Sequence, residues 1–534
     1  MKNVTRVLLA LLVLVLVGFT AQAGDIKSAG KKGNWSAPTT WVGGVVPSAA
    51  DNVIIADGDT VTIDANVSIT NITVGEGGTN FARLTFSLTT STTVTVTGNI
   101  LVAVNGGVSV SGNTINGNLK HDMTVYGDIT CNDPGGQRIT GVDTVSWRGW
   151  DLKSGSTGST LSVCNVIFTG SKNSTITLAG TNILYNSENE FSGITINKSG
   201  TARVILKSDV YVSGGSSSQP AGVVPVINFV RGLVETGRYA LVHAWTDAAG
   251  TVGMSDSSYV LGNFGRGISN GGTSTRDFPI GDAKGYRPAR IHNTTAGVAT
   301  GHHIRIGIVT GNANTGSSTF AGGIDKVSAV RYYTVMYCKG LATNPATMTY
   351  DKFGVSYGSD DGVATGNGNL RVAVADSTRK AWTSVGPAVY TTLATPPSQL
   401  IYSDVASPLV TLNDGQWMTV ALARVTGTTE NSLTGGATAV EKVSSVPAEF
   451  ALEQNYPNPF NPSTAISYQL SAVGFVTLKV FDALGREVAT LVQAEQSAGR
   501  YRVTFDASNL TSGTYFCRLQ AGNSVDTKKL LLVK

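Results

Sequence analysis

Apolar and polar residues alternate in short runs along most of this chain. Asn52-Val53-Ile54-Ile55 and Thr60-Val61-Thr62-Ile63 set the pattern, and Asp57-Gly58-Asp59 turns between them. Alternation with a period of two places one set of side chains on each face of a strand. Similar runs follow at Ile69–Val74, Arg83–Phe86, Thr92–Val96, Ile100–Val104, Val108–Val110 and Met123–Tyr126. They continue at Thr144–Trp147, Val163–Phe168, Ser174–Leu178, Gly193–Ile196, Ala202–Leu206, Val210–Val212 and Val226–Val230. Asn and Gly fill the gaps, as tight corners require. After the first twenty residues no helical period extends beyond two turns, so the chain reads as all-β.

Each of these strands is too short to bury a core alone. Coiling would stack equivalent strands so that alternate Val, Ile and Leu fill one interior. We therefore expect a right-handed parallel β-solenoid over 24–250, with roughly 20–25 residues per coil and about eight or nine coils. A β-sandwich of the same strands is the competing fold.

From Ser255 the strands lengthen and carry Tyr, Trp and Val, as in Arg331–Val335, Leu370–Ala375 and Ala381–Gly386. This predicts an antiparallel β-sandwich over 251–425. The small polar residues of 426–445 read as a flexible linker. In 446–534, alternating runs at Ala465–Leu470, Phe475–Phe481, Glu487–Val492, Gly499–Phe505, Gly513–Gln520 and Val525–Val533 predict a small immunoglobulin-like sandwich.

The N-terminus departs from the β pattern. Lys2 and Arg6 precede a continuous apolar run, Val7 to Val17, and Ala21-Gln22-Ala23 offers a small-x-small cleavage site. Residues 1–23 therefore read as a signal peptide, and its apolar run is too short to span a bilayer comfortably. Composition agrees with the strand reading: 63 of 534 residues are Gly and only 14% are charged. The formal charge of +4 falls to about +2 without Lys2 and Arg6, and no basic stripe is visible, which argues against nucleic acid or anionic membranes as partners. The cysteines are Cys131, Cys164, Cys338 and Cys517, with no C-x-x-C pair. Export would permit a Cys131–Cys164 disulfide, while buried single thiols are the alternative.

Two resemblances bear on function. Phe450–Thr464 contains Tyr456-Pro457-Asn458-Pro459-Phe460. Downstream stand Asp482 with Gly485, Gly499 with Tyr501, Gly513 with Tyr515, and Lys528-Lys529 before Leu530–Val533. Together these resemble the Por-type C-terminal sorting domain of type IX secretion cargo. The resemblance implies a secretion address, with the type IX machinery and its sorting peptidase as partners. It also implies export through the periplasm of a Gram-negative bacterium and removal of the domain afterwards. In many cargoes it implies attachment to surface lipopolysaccharide. Cys517 falls where the family often has an aromatic residue, so no role carries over to it. Upstream, the stretch from Gly33 to Asp64 resembles the opening of secreted bacterial β-solenoids, in which a pair like Trp35 and Trp41 caps the first coil. The pieces between 255 and 425 resemble a module that often follows such solenoids.

Candidate chemistry is sparse. Gly267-Ile268-Ser269-Asn270-Gly271 and Gly354-Val355-Ser356-Tyr357-Gly358 match G-x-S-x-G, but a nucleophile elbow needs a helix after the Ser and both are followed by turn residues. His302-His303 would point to opposite faces of a strand, and His121, His243 and His292 are isolated, so all five read as surface histidines. Asp51, Asp57, Asp59 and Asp64 would suit either calcium or Asx-turns, and Asp360-Asp361 reads as a solvated loop. Trp147, Trp150 and Trp245 would serve as sugar-stacking rings or as core. Charged residues from Asp122 to Asp209 look too scattered for the clustered acids of a polysaccharide hydrolase or lyase. No catalytic residue, metal site or cofactor is assigned. The leading expectation is a non-enzymatic exported surface protein with a role in adhesion or the surface matrix. A secreted polysaccharide lyase or hydrolase and a lectin-like module are the alternatives.

Overall fold

The structure is a computed structural model. It describes residues 24–110, 119–135, 149–152, 162–180, 189–212, 227–244, 250–267, 274–293, 302–314, 318–339, 346–357, 359–363, 369–385, 389–390, 399–403, 410–428, 431–434, 440–443, 450–471, 474–496, 499–508, 510–522 and 524–533. The signal-peptide stretch, Trp147, Trp245, Ser269 and Thr144–Trp147 lie outside these residues. The described chain is β throughout apart from three short 3-10 turns, and none of its helices is long and apolar enough to cross a membrane. Contacts divide the chain into two compact units. One holds the chain up to Ile308 with Val335–Tyr350 and Thr411–Gln416; the other holds Val309–Thr334, Asp351–Val410 and Trp417–Lys534. The stretch 251–425 is thus shared between both.

The first unit is built on three parallel ladders. The first runs from Asp25–Lys27 through Asn52–Ile55, Asn71–Val74, Ile100–Val102, Ile129–Cys131, Ser174–Leu178 and Arg203–Leu206 to Leu233–His243. The second runs from Lys32–Asn34 through Thr60–Ile63, Ala82–Phe86, Gly106–Ser109, Gly149–Asp151 and Glu190–Phe191 to Val210–Val212. The third runs from Val67–Ile69 through Thr93–Val96, Leu119–Val125, Ser162–Gly170 and Gly193–Lys198 to Ile227–Arg231 and Thr251–Val252. From Val67 onward the chain visits the ladders in strict rotation. Parallel pairing continues past residue 250, through Val260–Gly267 to Ile280–Asp282. Antiparallel pairing then takes over where Phe264 faces Ile306 and Gly267 faces His303.

Register turns the alternating pattern into continuous columns. In the third ladder Val67, Val94, Met123, Val166, Ile194 and Ile227 stand in line. Beside them run Ile69, Val96, Val125, Phe168, Ile196 and Phe229, each at most 1% exposed. Burying one such side chain is worth roughly 1.5–3 kcal/mol. A polar column lines one corner of the first ladder. Asn52 Nδ2 donates to Asp25 Oδ1 (2.9 Å), and Asn71 Nδ2 donates to Asn52 Oδ1 (2.8 Å). Asn71 Oδ1 accepts from the Asn99 N–H 28 residues on, and Asn99 Oδ1 accepts from the Asp128 N–H 29 residues on. The steps of this column are 27, 19, 28 and 29 residues, so all but the second exceed the 20–25 residues expected.

The first strands are closed off by the tryptophan pair. Trp35 and Trp41 are buried, with ring centroids 4.9 Å apart at 72°, and Trp41 Nε1 donates to the Trp35 carbonyl (2.8 Å). Ser28 bridges Trp41, and the Ala29 N–H donates to Thr40 O, so residues 38–41 fold over the first edge of the stack. Covering an edge in this way removes a template for unwanted pairing.

In the second unit, Leu370–Asp376 pairs antiparallel with Trp417–Val425 and with Ala381–Ser384. Ile324, Val327, Trp382, Ala421 and Ala423 form its core. Arg331 bridges Asp360 and Asp361 there, with Asp361 only 1% exposed. These two carboxylates hold a buried guanidinium, which corrects their reading as a solvated loop. The linker reading also needs correction. Leu433 is fully buried and its carbonyl accepts from the Ala329 N–H (2.7 Å), and Val440–Val443 pairs antiparallel with Gly499–Asp506. The small polar residues around them masked one apolar anchor and one short alternating strand.

The C-terminal part packs two four-stranded antiparallel sheets. Val440–Val443, Gly499–Asp506, Ser463–Leu470 and Ala451–Leu452 form one; Glu487–Gln496, Gly474–Asp482, Gly513–Ala521 and Ser524–Leu532 form the other. Val476, Leu478, Val480, Ile466, Val503 and Leu519 are among the residues of the core they share.

Candidate functional site

The residues singled out at the C-terminus come together along one edge. Tyr456-Pro457-Asn458-Pro459-Phe460 crosses the end of the last strand, Ser524–Leu532. Phe460 is 2% exposed and joins the core. Its N–H donates to the Leu531 carbonyl (2.9 Å), and its carbonyl accepts from the Val533 N–H (3.0 Å). Asn458 clamps the same strand twice, donating from Nδ2 to Lys529 O (3.2 Å) and accepting at Oδ1 from the Leu531 N–H (2.9 Å). Asn455 Nδ2 and Thr464 Oγ1 both donate to the Pro457 carbonyl. Pro459 has no N–H to give the ladder, and the Asn458 side chain makes the contacts to Lys529 and Leu531 instead. Tyr456 is left 80% exposed. Lys529 is exposed on the outer face, opposite Phe516 in register, while Lys528 lies 3.4 Å from Asp526.

The other matched residues serve the frame. Asp482 accepts from the N–H groups of Leu484 and Arg486 and from Arg486 Nε. The Arg486 backbone bond leads in holding its carboxyl below the usual range. Gly485 takes φ 80°, which the turn requires and other residues resist. Gly513 starts the strand on which Tyr515, 6% exposed, donates from its hydroxyl to Thr511 O (2.8 Å). Tyr501 stacks on Tyr468 at 5.3 Å. Cys517 is buried, and burial pushes its thiol up to about 12.

The fold also gathers charged residues that the sequence scatters. On the outer face of the second ladder, Asn34, Thr62, Thr85, Ser109, Asp151 and Glu190 occupy one column. Lys32, Thr60 and Arg83 occupy the neighbouring one. Asp151 and Glu190 are direct register partners. Arg83 Nε donates to Ser109 Oγ (3.2 Å). Burial lowers the Arg83 pKa and the Asp151 charge opposes that shift. Sequence reading missed this cluster because the rotation between ladders separates neighbours by a whole coil.

Other candidates resolve into structure. His121, His243, His302 and His303 are buried and His292 is half-buried, which corrects the surface reading. Burial lowers His121 to about 4; its Nδ1 faces Thr92, whose N–H donates to it at 3.1 Å. All four thiols are free, so Cys131 and Cys164 do not form the disulfide that export would permit. Asp51 accepts from Ser48 and Gly24, Asp57 from the N–H groups of Glu76 and Gly78, Asp59 from Ser28 and Asp64 from Ser36. Each carboxylate thus closes a separate corner, and no group of three or more His, Cys, Asp or Glu suited to a metal occurs among the described residues. Ser356 is buried within a strand, against the Tyr333 hydroxyl. Trp150 is fully buried beside Phe191.

No curated protein and no solved structure matches the chain. Residues 454–534 match the family described as secretion system C-terminal sorting domain. The chain therefore carries, in the domain that Asn458 and Phe460 tie to its last strand, the sorting domain of type IX secretion cargo.

Proposed function

We propose that the protein is a non-enzymatic component of the outer surface of a Gram-negative bacterium, exported through the periplasm and serving adhesion or the surface matrix. The observation that carries this reading is the sorting domain at 454–534 joined to a long stack of parallel strands. In this reading the three ladders are the faces of a right-handed β-solenoid. The residues after it form an antiparallel sandwich, and the C-terminal sheets an immunoglobulin-like one, in which the Tyr515–Thr511 bond plays the part of a tyrosine corner. The signal peptide at 1–23 starts export. The type IX machinery recognises the C-terminal domain, and its sorting peptidase removes it. Surface lipopolysaccharide or glycans are the partners of the exported part. Deleting Val446–Lys534 and fractionating the cells tests the address: the truncated protein should stay in the periplasm, and normal arrival at the surface would overturn the proposal.

One observation favours a second reading, a secreted polysaccharide hydrolase. Asp151 and Glu190 are neighbours on one face, and paired carboxylates about 5 Å apart suit glycoside hydrolysis with retention. Incubation with plant and algal polysaccharides, followed by an assay for new reducing ends, separates the two readings. Release of such ends would replace the non-enzymatic one.

A further inference from the structure

The two broad faces of the C-terminal domain differ. Ser463–Leu470 buries Thr464, Ile466, Tyr468 and Leu470 and turns Ser463, Ala465, Ser467 and Gln469 outward. Its partner Gly499–Asp506 turns out Arg502, Thr504 and Asp506. Neither strand shows an apolar side chain larger than Ala on that side. The opposite sheet does the reverse. In Gly474–Asp482, Gly513–Ala521 and Ser524–Leu532, the outward residues stand in three rows. Phe481 faces Phe516, which faces Lys529. Lys479 faces Arg518, which faces Thr527. Thr477 faces Gln520, which faces Val525. Phe475 lies one step beyond. Phe475 (58%) and Phe516 (38%) are the exposed phenylalanines of the described residues, and both stand on this face. Six residues of antiparallel strand separate Phe475 from Phe481, a span of about 20 Å.

This arrangement does nothing for the domain by itself. Apolar side chains gathered on an exposed face mark a place of interaction. Lys479 and Arg518 are like charges directly opposite one another, which weakens a strand pair. Lys479 Nζ donates to Glu487 Oε2 (2.8 Å). Arg518 and Lys529 are exposed and make no ion pair among the described residues. Local rules broken together on one face, with no gain inside the fold, point to a function of that face. Aromatic residues and Arg are also the groups on which protein interfaces chiefly depend.

Charge selects the partner. A second copy of this face would bring Lys479, Arg518 and Lys529 against the same cations. An anionic saccharide would satisfy the cations and leave the phenylalanines in water. A protein surface with carboxylates between two apolar pockets satisfies both. We infer that the type IX machinery grips the domain on this face, offering carboxylates to Arg518 and Lys529 and apolar pockets to Phe475 and Phe516. This deepens the export reading and rests on it.

Fractionation of cells making full-length variants, with the unfolding midpoint of each purified chain, tests the face. Arg518→Glu combined with Lys529→Glu should lower arrival at the surface or in the medium about tenfold or more. The unfolding midpoint should hold or rise, because the first substitution sets an acid opposite Lys479. Phe516→Thr should lower arrival about fivefold. Arg502→Glu, on the other sheet, should be exported normally. With p-benzoylphenylalanine in place of Phe516, irradiation of cells should join the chain to a type IX component identified by mass spectrometry. Normal export of the double variant, an equal loss in Arg502→Glu, a loss that tracks a lowered midpoint, or cross-linking only to a second copy or to lipopolysaccharide would overturn the inference. The export reading fails separately, by normal surface arrival of the chain lacking Val446–Lys534.

Discussion

The parallel stack and the C-terminal domain are both β, yet they hold themselves together by opposite means. In the stack most strands repeat the pairing of the strand one rotation earlier, and only the first edge is closed, by Trp35 and Trp41. Its columns, such as Val94-Met123-Val166-Ile194, distribute the stability. In the C-terminal domain one loop, Tyr456–Phe460, is tied by Asn458 and Phe460 to the final strand. The stack resembles a polymer in which loss is local. The domain resembles a latch in which loss at one position is felt throughout. A repetitive cargo thus tolerates variation along its length, while its address does not.

The largest expected effect would come from Phe460→Ala. It should cost about 3–5 kcal/mol, enough to unfold a small domain while leaving the stack intact. Denaturant unfolding followed separately in the two regions checks it, and a coincident shift of both transitions would break the distinction. Next comes pH. All five histidines lie before residue 304, so the C-terminal domain has none. His121 is lowered by burial from 6.5 to about 4. The unfolded chain therefore binds more protons between these values, and the stack should lose up to about 3 kcal/mol as pH falls from 6.5 to 4. Lys198, lowered by burial to about 8, acts with the same sign at the other end. Its Nζ donates to Thr169 O and Ser174 Oγ, and the stack should gain stability as pH rises from about 8 towards 10.5. Unfolding midpoints across pH, with Lys198→Met as the control for the alkaline limb, measure both.

A smaller effect separates two asparagines. Asn458→Ala and Asn71→Ala each remove two hydrogen bonds and should each cost about 1–2 kcal/mol. Only the first should reduce export, which cell fractionation reads. Tyr456→Ala should change stability by no more than about 0.5 kcal/mol, because the ring is exposed. A clear loss of export with unchanged stability would show that the exposed ring itself is read.

Strand positions were largely legible where apolar alternation was bounded by Gly or Asn. Asn52–Ile55, Thr60–Ile63, Ser174–Leu178 and Val210–Val212 stand where the sequence predicts them. Ile69–Val74 was not one strand. It bends at Thr70, and Val67–Ile69 and Asn71–Val74 belong to different ladders. The buried residues Ile69 and Ile72 are three apart, so the period of two breaks at that corner, a signal too small to stand out in a run of six residues. Leu233–His243 escaped notice because Glu235 and Arg238 interrupt its apolar pattern. The sorting-domain residues were legible because Tyr456–Phe460 is a contiguous motif in the sequence, although its contacts reach the last strand some seventy residues on. The Lys32–Arg83 row and the Asp151–Glu190 pair were not, since only register reveals which residues from successive coils share a face.

The clamp of Asn458 and Phe460 on Leu531 and Val533 has one more consequence. The ribosome makes the Pro-rich loop some seventy residues before the strand that shapes it. Until Leu531–Val533 emerge, the loop has nothing to grip. A molecule lacking those residues carries the Tyr456–Phe460 letters with nothing for Asn458 and Phe460 to grip.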